Sequence, residues 1–111
     1  MPSLSLVAMK LQFTKQAREE FLRIVSVFAE YAGPRSADKF IKRVNDRGET
    51  LLKHPEIGHP EMLLADRQYK YRSISLNTNY NLIYYVTKTT IWIVDIWDRR
   101  NDPARLVKRI R

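Results

Sequence analysis

The sequence predicts an α+β fold in which an antiparallel helical hairpin packs on an antiparallel β-sheet, with a strand before the hairpin and a short C-terminal helix or tail. Three observations lead there. Apolar residues recur at three- and four-residue spacing through two consecutive segments of the first half. The second half holds three runs rich in Tyr, Ile, Val, Thr and Trp, separated by short polar connections. The chain has 111 residues, enough for one domain (1–111) with a modest core and too few for two.

The elements follow in order. Val7, Met9, Leu11 and Phe13 alternate with Ala8, Lys10 and Gln12, the period-two pattern of a half-buried strand. Residues 1–8 read as a dispensable lead, lacking both the basic start of a signal peptide and a long apolar span. Thr14 offers an N-cap oxygen to a first helix whose apolar face is Ala17, Phe21, Ile24, Val25, Phe28 and Ala29. Gly33-Pro34 ends that helix, and a second begins between Pro34 and Ser36, with Phe40, Ile41, Val44, Leu51 and Leu52 as its stripe. Gly48 weakens its middle, and Pro55 ends it before a turn-rich connection, His54 to Pro60.

Tyr69–Leu76, Tyr80–Thr87 and Thr90–Trp97 then form strands, joined through Asn77-Thr78-Asn79 and Lys88-Thr89 as antiparallel hairpins. In the last of them Ile91 and Ile93 alternate with Trp92, Val94 and Ile96, so both faces are apolar and something must cover the second one. A short helix capped by Asp102 and started by Pro103 can do so with Leu106, Val107 and Ile110, leaving Arg105, Lys108, Arg109 and Arg111 in water.

Charge narrows the function. Twenty Lys and Arg against twelve Asp and Glu give a net charge of +8, which favours an anionic partner: RNA, DNA or an acidic peptide. With no cysteine there is no disulfide framework, thiolate nucleophile or Cys-based zinc site, and a cytoplasmic home is permitted. His54 and His59 lie five residues apart beside prolines, a spacing that suits a surface turn and no metal. No cofactor motif is present. Lys70 and Arg72 open one strand, and Arg99-Arg100 directly follow another, so cations sit where strands can hold them against phosphate or an acidic partner. Tyr80 and Tyr84 share a face with Leu82 and Val86 and read as core, whereas Tyr85 points the other way and is the tyrosine available for chemistry. Arg35, Lys39, Lys42, Arg43 and Arg47 make the second helix basic, to track phosphate or to keep the protein in solution. Glu19 and Glu20 read as part of a solvated helix face.

Five stretches taken together carry a family resemblance: Lys-Leu-Gln-Phe-Thr-Lys-Gln-Ala from Lys10, His-Pro-Glu-Ile-Gly from His54, Tyr71-Arg72, Tyr-Asn-Leu-Ile-Tyr-Tyr-Val from Tyr80, and Asp-Ile-Trp-Asp-Arg-Arg-Asn-Asp-Pro from Asp95. In this order, strand, two helices and three antiparallel strands, the chain after Ala8 resembles the RelE/ParE toxin superfamily. The resemblance implies a growth-inhibiting toxin of a type II toxin–antitoxin (plasmid stabilisation) module, without cofactor or membrane partner. Its expected partners are a cognate antitoxin and either DNA gyrase or the ribosome with its mRNA.

The two targets ask for different residues. A RelE-like ribosome-dependent mRNA endoribonuclease must activate a 2′-oxygen and stabilise a phosphate that gains charge, so it needs clustered cations and an acid or base. Lys70, Arg72, Tyr85, Arg99 and Arg100 are the catalytic set that this reading implies. Two departures count against it: Asn81 stands where RelE carries an arginine, and Arg105 falls near the place of its C-terminal tyrosine. A ParE-like gyrase inhibitor acts by binding and needs no base, and the long hairpin and the Pro-Glu-Ile-Gly turn look more like ParE. In either case Arg72, Trp92, Ile96, Arg99 and Arg100 are expected to meet the target or an antitoxin segment that folds across the sheet. A third possibility is a non-toxic basic module that stacks single-stranded bases on Tyr and Trp.

Overall fold

A computed structural model describes residues 8–110. The elements are β1 (Lys10–Phe13), α1 (Lys15–Ala32), α2 (Pro34–Lys53), β2 (His59–Pro60), a single 3₁₀ turn (Met62–Leu64), β3 (Arg72–Ser75), β4 (Tyr80–Val86), β5 (Thr90–Asp98) and α3 (Pro103–Arg109). Val7, expected in the first strand, and the lead up to it lie outside the described residues. Among the described residues no helix is long and apolar enough to cross a membrane.

Local chemistry sets the helix ends. The Thr14 hydroxyl accepts a hydrogen bond from the Ala17 N–H at 3.2 Å, closing one orphan donor of the first turn. Gly33 alone separates α1 from α2, and it adopts φ 91°, a conformation that a side chain would strain. Pro34 follows as the first residue of α2, where its missing N–H costs nothing. Asp102 caps α3 through the Ala104 N–H at 3.0 Å. Gly48 lies close to β1: a Cβ there would sit 2.7 Å from a terminal methyl of Leu11, which would have to move aside.

The five strands are ordered β1-β5-β4-β3-β2, and β1 runs parallel to β5. The sheet is therefore mixed and not wholly antiparallel, because the whole hairpin α1–α2 lies between β1 and the meander that follows it. The connection expected to be only turn contributes β2, a two-residue edge pairing His59 with Ser73 and Pro60 with Arg72. Tyr69 to Tyr71 precede β3 instead of belonging to it.

Two apolar layers lie on opposite faces of the sheet. On one side α1 and α2 bury Ala17, Ile24, Phe40, Val44 and Leu51 against Tyr80, Leu82, Tyr84, Ile91, Ile93 and Ile96. Phe40 joins the pieces, its ring 5.1 Å from Phe28 and 5.6 Å from Tyr80. Ala29 and Leu52, expected inside, are exposed. On the other side Leu106 of α3 and Ile110, the residue just after it, cover Tyr71, Ile83, Val94 and Trp97, with Leu64 of the 3₁₀ turn beside them. The second face of β5 is thus covered by the C-terminal helix.

A bulge decides which residues of β5 face which layer. Ile83 pairs with Asp95, but the next residue of β4, Tyr84, pairs with Ile93, so Val94 is an extra residue on β5. Simple alternation puts Ile96 on the same face as Trp92. The bulge moves Ile96 to the helix-side core, where it is fully buried, while Trp92 stays half-buried at the margin of the α3 layer. Ile96 as a partner contact is corrected by this register: it has no surface to offer.

Candidate functional site

The cations expected to form one site occupy separate places. Arg72 lies opposite Tyr84 in the β3–β4 ladder and shares its face. Its guanidinium donates to the Gly58 carbonyl at 2.6 Å and the Glu56 carbonyl at 3.2 Å, with the Glu56 carboxylate 3.5 Å away. Tyr84 grips the same loop, its hydroxyl donating to the Pro55 carbonyl at 2.8 Å and accepting from the Gly58 N–H at 2.9 Å. Burial pushes the Tyr84 hydroxyl above its ordinary pKa, with the Gly58 N–H opposing in part. Arg72 is therefore a loop anchor. Lys70 is exposed just before β3, beside a surface pocket of about 320 Å³ that Met62 and Tyr69 also line.

Tyr85 points to the opposite face. Its ring stacks on Tyr69 with centroids 4.0 Å apart and planes 10° from parallel, and meets Tyr71 edge-on at 5.5 Å. Burial, then the neighbouring Tyr69, raise the pKa of its hydroxyl, which disfavours the phenolate a base would need. Asn81 is buried within the ladder, between Ser75 and Trp97 in register.

Arg99 and Arg100 sit at the far end of the sheet. They follow Asp98, which pairs with Tyr80, four residues along β4 from the partner of Arg72, or roughly 13 Å at strand rise. Arg99 donates its main-chain N–H to the Asn79 carbonyl at 2.7 Å and its guanidinium to the Thr78 carbonyl. Arg100 forms a fork on Asp98 at 2.8 and 2.9 Å, and its guanidinium carbon lies 5.9 Å from the centre of the Tyr80 ring. The Arg100 hydrogen bonds hold the Asp98 carboxyl below the usual carboxylate range.

Sequence reasoning missed a second polar centre. Arg109, expected in water, forks onto the fully buried Asp95 at 2.7 and 2.8 Å and ties α3 to β5. Burial raises the pKa of Asp95 more than the adjacent guanidinium lowers it. Asp95 also accepts from the Ile96 N–H at 2.9 Å, just past the point where β1 stops covering the edge of β5. Glu20, read as a solvated carboxylate, is mostly buried, held at 2.7 and 2.9 Å by Arg23 and 4.0 Å from Arg109. The Arg23 hydrogen bonds lower its pKa. One signal pointed here: a lone carboxylate in the middle of an apolar strand needs a partner.

Arg43 and Arg47 fasten α2 to the β3–β4 turn through the Leu76 and Ser75 carbonyls at 2.9 and 2.7 Å, and Lys42 pairs with Asp46. His54 and His59 are exposed, and the described residues contain no group of side chains arranged to hold a metal.

The fold is shared with solved toxins. A structure described as the chromosomal ParDE TA system from P. aeruginosa superposes with a TM-score of 0.66 at 18% identity, covering 82% of this chain and 96% of that one. The YoeB dimer from Staphylococcus aureus gives 0.57 at 23% identity, covering 80% of this chain and 94% of that one. A YoeB/ParE toxin from Agrobacterium tumefaciens gives 0.58 at 19%, covering 81% and 98%. At these identities the likeness speaks for the fold alone. No curated protein matches the sequence at a significant level. The family model for the ParE toxin of the type II toxin–antitoxin system parDE matches residues 11–103, nearly the whole described chain, and with the strand–hairpin–meander fold it places this protein in that family of toxins.

Proposed function

We propose that this toxin arrests growth by binding DNA gyrase, not by cutting messenger RNA. One observation carries the reading: Arg72 and Tyr85 project from opposite faces of the sheet, and Arg99 and Arg100 lie at its other end, so the groups that a nuclease must gather around one phosphate are apart. The raised Tyr85 hydroxyl and the buried Asn81 agree with it, since neither supplies a base or a cation. A binding toxin needs only an accessible, positioned contact, and Arg100, with its side chain 61% exposed and its fork fixed on Asp98, supplies one.

In this reading Arg99 and Arg100 meet the target, and a cognate antitoxin neutralises the protein by covering them; the C-terminal helix lies over Val94 and Trp97 between these arginines and Trp92, so Trp92 is outside this contact. A gyrase target also puts the protein in the cytoplasm. Purified protein is tested in two assays side by side: supercoiling by gyrase, and integrity of a message on translating ribosomes. Inhibited supercoiling with intact mRNA is the expected result. Cleavage of ribosome-bound mRNA with gyrase unaffected overturns the proposal.

A further inference from the structure

The C-terminal segment 99–110 holds five cations and one carboxylate, and three of those cations gather on one side of α3. There a groove of about 440 Å³ opens between α3 and the first half of α1. Arg105 and Lys108, one helical turn apart, line it with no salt-bridge partner among the described residues. Arg23 and Arg109 line it too, and each commits only two N–H donors to carboxylates, leaving three free. Glu20 is the one carboxylate in the lining, and it is already held by Arg23.

We propose that this groove binds the phosphodiester backbone of a nucleic acid. Two features favour that ligand over an acidic polypeptide. Peptide docking relies on buried apolar anchors, yet the only large apolar side chain in the lining, Trp97, is 5% exposed and is filled over by α3. The cations are mostly arginines, whose planar forks match phosphate oxygens and keep their charge at any physiological pH. Asn101 brings the groove next to Arg99 and Arg100, the contact proposed for gyrase, so a binding test without gyrase separates the two readings.

Fluorescence anisotropy with short labelled oligonucleotides tests this without gyrase present. Duplex DNA or single-stranded RNA is expected to bind with an affinity that falls between about 50 and 200 mM salt, and the tighter of the two identifies the source of the backbone. Arg105→Ala with Lys108→Ala should weaken binding about tenfold or more. Two lost phosphate contacts should also flatten the slope of log affinity against log salt by about 1.8 for duplex DNA and about 1.4 for single strands. Both side chains are exposed, so an unchanged melting curve is the check on folding. Lys39→Ala with Lys42→Ala removes two cations from α2, outside the groove, and should change binding far less. The proposal is overturned if neither nucleic acid binds, if the α2 variant loses as much as the groove variant, or if poly-glutamate occupies the groove more tightly than either nucleic acid.

Discussion

Asp95 of β5 and Arg109 of α3 meet in a two-point hydrogen-bonded ion pair beneath the C-terminal helix, and that pair ties the helix to the sheet just beyond the last β1–β5 residue pair. Arg67 completes the attachment, donating to the Val107 and Ile110 carbonyls at 2.7 and 3.1 Å, at the end of α3 where backbone acceptors lack partners.

Arg109→Ala should therefore destabilise the protein by about 3 kcal/mol, the low end for a broken buried pair because the Arg109 head keeps some contact with water. A urea titration followed by circular dichroism measures it. Replacing both partners, Asp95→Leu with Arg109→Met, should recover most of the loss, since no charge is then left stranded. A single-variant loss below about 1 kcal/mol, no more than a surface pair supplies, would mean that the apolar contacts of Leu106 and Ile110 hold α3 by themselves.

The loop between α2 and β2 is predicted to depend on Tyr84 and Arg72 together. Tyr84→Phe removes the hydroxyl from the Pro55 carbonyl and the Gly58 N–H and should cost about 1–3 kcal/mol, as expected when buried polar groups lose their partner. Arg72→Ala should loosen the same loop, so the double variant should cost less than the sum of the two. Amide exchange at Gly58 reports the loosening directly. Strict additivity, with Gly58 still protected, would show that the loop is held elsewhere.

Arg99→Ala and Arg100→Ala should leave the melting temperature nearly unmoved, because Arg100 loses an exposed ion pair and Arg99 an exposed side-chain hydrogen bond, both of which contribute little, while growth arrest on expression fades. A variant lacking both arginines that folds, is neutralised by its antitoxin and still arrests cells would remove this end of the sheet from the target contact.

Acid should weaken the fold partly through Glu20. Its folded-state pKa is lowered by the Arg23 hydrogen bonds, so its contribution is fully present above the unfolded value of about 4.3 and is lost as the pH falls through the lower folded value. Asp98, lowered by Arg100, titrates in the same sense. Asp95, raised by burial, opposes them, because the folded state takes up its proton first. Glu20→Gln should therefore lower stability at neutral pH and shrink the difference from the parent protein below about pH 4. A difference that stays constant with pH would show that Glu20 is not ion-paired in solution.

The features legible in the order of residues are local. Thr14, Gly33-Pro34 and Asp102-Pro103 mark helix ends because caps and prolines act within a few residues of themselves, and the three-and-four spacing along α1 and α2 matches the faces that Ile24, Phe40 and Val44 bury. The cationic strand ends were legible as residues but not as a site. Tertiary structure alone decided that β1 pairs with β5 in parallel, that one extra residue at Val94 turns Ile96 inward, and that Arg72 and Tyr85 leave the sheet on opposite sides. It also decided that Arg109 reaches Asp95 across 14 residues of chain. These outcomes depend on which strand lies beside which and in what register, and a one-residue shift in register exchanges the two faces of a strand while leaving its composition and periodicity unchanged.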